Sequence, residues 1–187
     1  MTPLDQQILI PFNLETELER RIAADPRWQL GIQWGLPRPG HPEGQVRYHI
    51  RDVLHNVDYY FCSSPDRWRL RLISLLHDTF KYQAKKLTKP RASHGYLARQ
   101  FAENYVTDTA VLDVIELHDE AYKAHQHLLC CPSPSTAENR AQQLIARLSS
   151  NIELFMNFYY CDNQTADKSP GHYEWFKGLL LHHQGNL

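Results

Sequence analysis

The sequence RLRLISLLHDTFK, from Arg69 to Lys81, joins an apolar run to a pair of polar residues that can bind metal. Its aliphatic residues are Leu70, Leu72, Ile73, Leu75 and Leu76. A helix this apolar is expected to be buried in the core. It ends in His77 and Asp78, which offer one nitrogen and one oxygen to a divalent ion. The dipeptide alone is not specific, because such pairs also arise by chance or cap helices, so further ligands must come from elsewhere in the chain.

Length and composition predict one soluble domain. The chain has 187 residues, of which 42% are hydrophobic, so it can bury one sizeable core and one domain is expected over residues 1–187. The net charge of −1 gives no basic excess, which argues against nucleic acid and an anionic membrane as partners. A small neutral or anionic ligand is the expected partner.

No run approaches the ~18 apolar residues of a membrane helix, and the first residues do not resemble a signal peptide, so we expect a cytoplasmic protein. The oligomeric state is not predicted.

Apolar residues recur with helical spacing along most of the chain. The predicted helices cover residues 14–24, 45–61, 94–105, 108–124, 137–162 and 173–183, together with the helix that follows the turn at 63–66 and ends in His77-Asp78. The first is expected to end at Asp25-Pro26, because a residue that precedes proline avoids helical backbone angles. The pattern therefore predicts an all-α bundle of about six to eight helices.

Further polar side chains lie on the apolar faces of these helices. They are His49, His94, His118 and Asp162. Each histidine taken alone fits an ordinary core imidazole that is hydrogen-bonded to a backbone carbonyl. A buried, unpaired Asp162 would be costly, so we expect a cation beside it, either Lys168 or a metal ion. Together with His77 and Asp78, these residues predict one cluster that is assembled from five helices.

The four cysteines are Cys62, Cys130, Cys131 and Cys161, and they do not follow a CxxC spacing. In a cytoplasmic chain they are expected to be reduced, and free cysteine is among the most buried residue types. We interpret them as packing residues rather than as zinc ligands.

The order His49, then His77-Asp78, then Asp162 at the end of a long helix resembles the HD-domain superfamily of metal-dependent phosphohydrolases. The resemblance implies an all-helical fold and a hydrolase that acts on phosphoric ester bonds. The substrate it implies is a phosphorylated small molecule, a nucleotide or another metabolite.

Two further features extend this resemblance. His94 and His118 fall where the two-metal members of the superfamily carry additional histidines. The stretch HPEGQVRYH, residues 41–49, resembles the start of the HD domain attached to some bacterial tRNA nucleotidyltransferases. The resemblance covers about residues 40–168, which implies an HD-type core with the helices 14–24 and 173–183 packed on it.

One position departs from the pattern. Many members have Gly two residues after the HD aspartate, whereas this chain has Phe80. We expect Phe80 to narrow the pocket, which would affect the choice of substrate but not the metal site.

The resemblance implies one or two divalent ions, and four imidazoles with two carboxylates suit Mn, Fe, Co, Ni, Zn or Mg. We expect the first ion to be held by His49, His77, Asp78 and Asp162, and the second by Asp78, His94 and His118. Asp78 would then bridge two ions ~3.5–4 Å apart, which activate a shared water.

Three charged side chains are candidates for work on the substrate. Lys81 would neutralise charge on the phosphoryl group, although an exposed lysine at a helix end is an equal alternative. Glu43 would orient the water or a substrate hydroxyl, with ordinary loop packing as the alternative. Lys168 is, like Lys81, a candidate for substrate binding.

Three functions remain open at this stage. The first is the phosphohydrolase. The second is an oxygenase, because a few HD-superfamily proteins use two irons to cleave a C–C or C–P bond with the same ligand set. The third is a regulatory or ligand-binding module that keeps the fold without catalysis.

Overall fold

The computed structural model describes residues 8–84, 93–130 and 134–185. Within these ranges it contains helices and no strand, apart from an isolated bridge between Arg38 and His41. The helices are α1 (Glu17–Ala23), α2 (Pro26–Ile32), α3 (Val46–Tyr60), α4 (Arg67–Leu76), α5 (Lys81–Ala84), α6 (His94–Ala102), α7 (Thr109–Leu117), α8 (Glu120–Cys130), α9 (Pro134–Leu148), α10 (Ile152–Asn163) and α11 (Gly171–Gly185). Eight of them have nine or more residues, so the all-α prediction is confirmed. No helix in these ranges is long and apolar enough to cross a membrane.

Two predicted helices are broken in the structure. The prediction 108–124 divides into α7 and α8 at His118, whose Nδ1 lies 2.8 Å from the carbonyl oxygen of Ile115 and so competes for a carbonyl of the last turn. The prediction 137–162 divides into α9 and α10 at a 3-10 turn, Ser149–Asn151, where Ser149 has a φ of 42°. At each break the chain changes direction, although the apolar periodicity alone predicts one continuous helix.

Helix α2 is absent from the sequence prediction, because Asp25-Pro26 indicates only the end of the preceding helix. The same dipeptide also starts a helix. Asp25 is the N-cap, its side chain accepts a hydrogen bond from the backbone N–H of Arg27, and Pro26 occupies the first helical position. The new helix buries Trp28, whose Nε1 donates to the carbonyl oxygen of Leu75 at 2.9 Å.

The helix α4 lies at the centre of the molecule, as its apolar sequence predicts. Residues 70–76 are all buried, and α4 packs against α3, α7 and α10. Arg71 is also buried in this helix, at 3% exposure, because its Nε donates to Glu19 Oε1 of α1 at 2.8 Å. This ion pair attaches the N-terminal helix to the core. The central packing fixes the C-terminal end of α4, where His77 and Asp78 follow.

The cysteines are only partly as predicted. Cys161 is buried in α10, whereas Cys62 and Cys130 are exposed, so these two do not pack in the core. Cys131 lies outside the described residues.

The contact between α2 and the segment after α4 gives a stability prediction. A Cβ at Gly31 would overlap the carbonyl oxygen of Thr79 and approach Thr79 Cγ2 to 2.6 Å, and Thr79 is fully buried. We expect Gly31→Ala to destabilise the protein by about 1–3 kcal/mol through overpacking. Urea unfolding followed by circular dichroism measures this change.

The matched control for this substitution is Gly178→Ala. Gly178 is also in a helix, and a Cβ there would meet no atom within 4 Å. Its replacement should leave stability unchanged or raise it by up to about 1 kcal/mol through helix propensity. Equal effects of the two substitutions would show that the close approach at Gly31 does not matter.

Candidate metal centre

The structure brings the six predicted ligands together from separate helices. They are His49 in α3, His77 and Asp78 at the end of α4, His94 at the start of α6, His118 at the end of α7, and Asp162 in α10. These helices pack around α4 with their apolar faces inwards. The polar residues at the ends of those faces therefore meet at one point. The ligand atoms form two groups, and each group could hold a metal ion.

The first group contains His49, His77 and Asp162. The Nε2 atom of His49 lies 3.2 Å from His77 Nε2 and 2.9 Å from Asp162 Oδ1. His77 Nε2 is 4.0 Å from the same carboxylate oxygen. Both histidines are almost fully buried, so these ring nitrogens face one another rather than bulk water.

The second group contains Asp78, His94 and His118. The Nε2 atoms of His94 and His118 are 3.0 Å apart. Asp78 Oδ1 lies 3.3 Å from His94 Nε2 and 3.4 Å from His118 Nε2. This group therefore has two nitrogens and one carboxylate oxygen, the same donor types as the first group.

Asp78 joins the two groups. While its Oδ1 faces His94 and His118, its Oδ2 lies 3.6 Å from His49 Nε2 and 3.5 Å from His77 Nε2. One carboxylate thus directs one oxygen towards each group of imidazoles. This is the arrangement that a bridging carboxylate requires.

Backbone contacts orient two of the histidines towards the cluster. His77 Nδ1 lies 3.1 Å from the carbonyl oxygen of Ser74, and His118 Nδ1 lies 2.8 Å from that of Ile115. A carbonyl oxygen only accepts hydrogen bonds, so each Nδ1 carries the proton, and a neutral ring then directs the Nε2 lone pair towards the cluster. The donor set fits a divalent cation.

The protonation of the two rings differs. Burial lowers the pKa of His77 to about 3, although the charge of Asp78 opposes this shift. Burial also acts to lower the pKa of His118, but Asp119 and Asp78 outweigh it and the pKa is raised. A proton and a cation therefore compete for His118 Nε2 more than for His77 Nε2.

The two predicted lysines pair with ligand carboxylates. Lys81 Nζ lies 2.5 Å from Asp78 Oδ2, and Lys168 Nζ lies 2.8 Å from Asp162 Oδ1. Burial would raise the pKa of both carboxyl groups, but the lysine charges help to hold each pKa well below its usual range. The cation expected beside Asp162 is thus present in the protein itself.

Glu43 lies behind His49 rather than among the donor atoms. Its Oε1 is 3.0 Å from His41 Nδ1 and 3.6 Å from His49 Nδ1, the ring nitrogen opposite the one that faces the cluster. Glu43 is not among the residues that line the cavity beside the cluster, whereas His41 is. This position suits a residue that orients His49, because ligating imidazoles commonly donate their other N–H to a carboxylate.

The expectation that Phe80 narrows the pocket is wrong. Phe80 is 4% exposed and packs on Phe101, with ring centroids 5.1 Å apart. It does not line the cavity. The chain turns after Asp78, so Lys81 faces the candidate ligands and Phe80 does not. The presence of Phe80 instead of Gly therefore affects the packing of the core and not the shape of the pocket.

A cavity of about 550 Å³ opens beside the cluster, a size that suits a small ligand. Of the predicted site residues, its lining includes Asp78, Lys81, His118, Asp162 and Lys168. Both lysines therefore border space that a ligand can enter.

Sequence reasoning missed Asp119. Its Oδ2 lies 3.3 Å from His94 Nε2, and the residue lines the cavity. The charges of His118, His94 and Lys81 lower its pKa in spite of burial. The sequence did contain a signal, because His118-Asp119 is a second His-Asp pair. In the predicted continuous helix over 108–124, however, Asp119 would point away from the face that carries His118.

No protein-family model, curated protein or solved structure matches this chain. The resemblance therefore depends on the residues and helices themselves. An all-helical chain with a His/Asp cluster that could bind metal is compatible with an HD-type site.

The buried His77 gives a pH prediction for the protein stripped of metal. The pKa of His77 is 6.5 for an exposed ring and about 3 in the folded protein. Between these two pH values His77 binds a proton in the unfolded chain but not in the folded protein. Its contribution to stability is complete above about pH 6.5 and declines as the pH falls towards 3, by at most about 1.4 kcal/mol per pH unit.

The variant His77→Asn isolates this contribution. Its amide can still donate to the Ser74 carbonyl but does not titrate, so the pH dependence of stability should become shallower. Urea unfolding in EDTA between about pH 4.5 and 7 measures the slope. The exposed His55 of α3 provides the control His55→Asn, which should keep the wild-type slope. Parallel curves for wild type and His77→Asn would contradict the prediction.

Proposed function

We propose that this protein is a metal-dependent phosphohydrolase that cleaves a phosphate ester of a nucleotide or another small metabolite. The observation that carries the proposal is the position of Asp78. It directs one oxygen towards each of two imidazole pairs, beside a cavity that Lys81 also lines. Cationic and metal-binding groups that converge on one cavity suit an anionic phosphoryl group.

The candidate ligands divide as the family resemblance implies. His49, His77 and Asp162 would hold one ion, His94 and His118 would hold a second, and Asp78 would offer one oxygen to each group. Bound divalent ions supply Lewis acidity towards a phosphoryl oxygen and lower the pKa of a water molecule. The protein fixes the donor atoms before a substrate arrives, because the imidazole rings of His77 and His118 are held by backbone carbonyls.

Lys81 has two roles in this proposal. Its ammonium group is held by Asp78, and its pKa is raised because the charges of Asp78 and Asp119 outweigh burial. It therefore stays charged next to the cavity, where it binds a phosphoryl oxygen and stabilises negative charge in the transition state. Lys168 neutralises Asp162 and adds a second positive charge to the cavity lining.

Asp119 would orient the attacking water. Its carboxylate is ionised and its side chain is 32% exposed, in contrast to 4% for Asp78. A water held against this carboxylate can donate one proton to it while its lone pair faces the substrate. This role replaces the one that was expected of Glu43, which lies behind His49.

An iron-dependent oxygenase is the second candidate. The cluster contains four imidazoles and two carboxylates and no thiolate, a set that a pair of irons accepts as well as other divalent ions do. The ligands alone do not separate the two reactions. The identities of the substrate and of the bound metal distinguish hydrolysis from oxygenation.

Metal analysis of anaerobically purified protein, combined with a phosphoester panel, tests the proposal. Redox-silent metal and release of inorganic phosphate support hydrolysis. Iron with a mixed-valence electron paramagnetic resonance signal, and no phosphate release, would favour the oxygenase. Absence of bound metal, with no hydrolysis after Mn or Co is added, would favour a non-catalytic module.

A further inference from the structure

The cavity extends from the metal centre along one face of α8. Asp119, which precedes α8, and Tyr122, His125, Gln126 and Leu129 line it, and the separations of three or four residues that link them are typical of one helical face. At 1.5 Å per residue, this face is about 15 Å long. Asp119 lies 3.3 Å from His94 Nε2, at the end of this face that adjoins the candidate metal centre. A phosphoryl group at the cluster leaves this length for the organic part of a substrate.

His172, the second residue of α11, lines the same cavity. Its Nδ1 lies 2.6 Å from the hydroxyl oxygen of the buried Tyr159. Burial raises the pKa of Tyr159 and lowers that of His172, so both groups are neutral. The phenol is the stronger donor and has no other acceptor among the described residues, so its O–H donates to Nδ1. The ring proton of His172 is then on Nε2, where it can donate to a ligand.

An aromatic surface adjoins this donor. The rings of Tyr122 and His172 meet edge to face, with centroids 5.1 Å apart, and Tyr122 is 42% exposed. Gln126 and Leu129 line the same cavity, and Leu129 is 67% exposed. None of Tyr122, Gln126 and Leu129 carries a charge, in contrast to the metal end with its aspartates and lysines.

We infer that Tyr122, Gln126 and His172, here called the outer subsite, bind the organic part of the substrate and select a planar group that carries a hydrogen-bond acceptor. The acceptor meets His172 Nε2–H, and the planar group packs against Tyr122. Tyr159 is a positioning residue that fixes the tautomer of His172. The inference rests on the proposed function, because it assumes that a phosphoryl group occupies the metal end.

Phosphonates test this inference because they bind like phosphate esters but are not hydrolysed. The probes are phenylphosphonate and its 3- and 4-carbamoyl derivatives, titrated calorimetrically into manganese-loaded protein. We expect at least one carbamoyl compound to bind about tenfold more tightly than phenylphosphonate, the effect of one additional hydrogen bond. In His172→Phe, which keeps a flat ring without the N–H, this preference should fall to about twofold or less.

The outcomes separate this inference from the proposed function. If phenylphosphonate binds but the carbamoyl group adds nothing in the wild type, the outer subsite is contradicted and the phosphoryl site is not. If neither the phosphonates nor inorganic phosphate bind, the proposed function fails and the inference fails with it. The control is Tyr173→Phe, a neighbouring tyrosine that does not line the cavity. It should keep the wild-type preference.

Nitrogen-15 NMR of the His172 ring tests the tautomer without any ligand. The wild type should show a protonated Nε2 and an unprotonated Nδ1. Tyr159→Phe removes the hydroxyl donor and should give a mixture of tautomers, together with a weaker carbamoyl preference. A wild-type spectrum with the proton on Nδ1, or an unchanged spectrum in Tyr159→Phe, would overturn the role given to Tyr159.

Discussion

Replacing Asp78 with Asn should remove metal from both groups and lower kcat/KM for phosphate release by about a thousandfold or more. The carboxylate has one oxygen towards each pair of imidazoles, whereas an amide has one uncharged oxygen and an NH₂ that accepts nothing. The Lewis acidity of the ions is worth several kcal/mol in the transition state, and each 1.36 kcal/mol is a factor of about ten in rate. Elemental analysis and a phosphate-release assay measure the two effects.

The control for this variant is Asp52→Asn. Asp52 is in α3, the helix that carries His49, but its carboxylate pairs with Arg51 at the surface. Removing one such charge costs at most about 1 kcal/mol of stability, so metal content and rate should stay close to wild type. Circular dichroism shows whether each variant is folded. A folded Asp78→Asn protein that keeps two ions and its activity would rule out the bridging role.

Replacing Lys81 with Met should lower kcat by about 10²–10³-fold, the usual loss when one group that stabilises transition-state charge is removed. The metal content should remain, because Lys81 contacts Asp78 but is not itself a ligand. Methionine keeps most of the side-chain volume, so the effect comes from the lost charge. Steady-state kinetics and elemental analysis on the same preparation test both parts.

Two comparisons define the role of Lys81. Lys81→Arg keeps the charge and should recover part of kcat. Lys123→Met removes a lysine that pairs with Glu120 outside the cavity lining, at 3.0 Å, and should have no effect on the rate. If Lys81→Met keeps its kcat, the lysine serves only to neutralise the carboxylate of Asp78.

The sequence predicted that these side chains lie together because helical periodicity carries three-dimensional information. His49, His94 and His118 are in register with apolar residues, and an apolar face must pack inwards. Asp162 is in register with buried residues of α10 in the same way. The all-α fold follows from the same pattern. Which of these residues would share an ion was implied only by the family resemblance.

The residues that were missed depend on local breaks and on the packing of distant segments. Asp119 faces the cavity because α7 ends at His118, and periodicity does not register such a break. Tyr159 and His172 belong to two helices whose mutual contact no pattern within either helix specifies. The prediction for Phe80 was wrong for a similar reason. The chain turns between α4 and α5, so Phe80 points into the core while Lys81 lines the cavity.

The most direct test of the metal centre is a crystal structure with anomalous diffraction at the absorption edge of the metal found in the purified protein. We expect two anomalous peaks. One lies between His49, His77 and Asp162, the other lies between His94 and His118, and Asp78 contacts both. Folded protein with no peak at this cluster after purification and after incubation with Mn or Co would contradict the presence of a metal centre here.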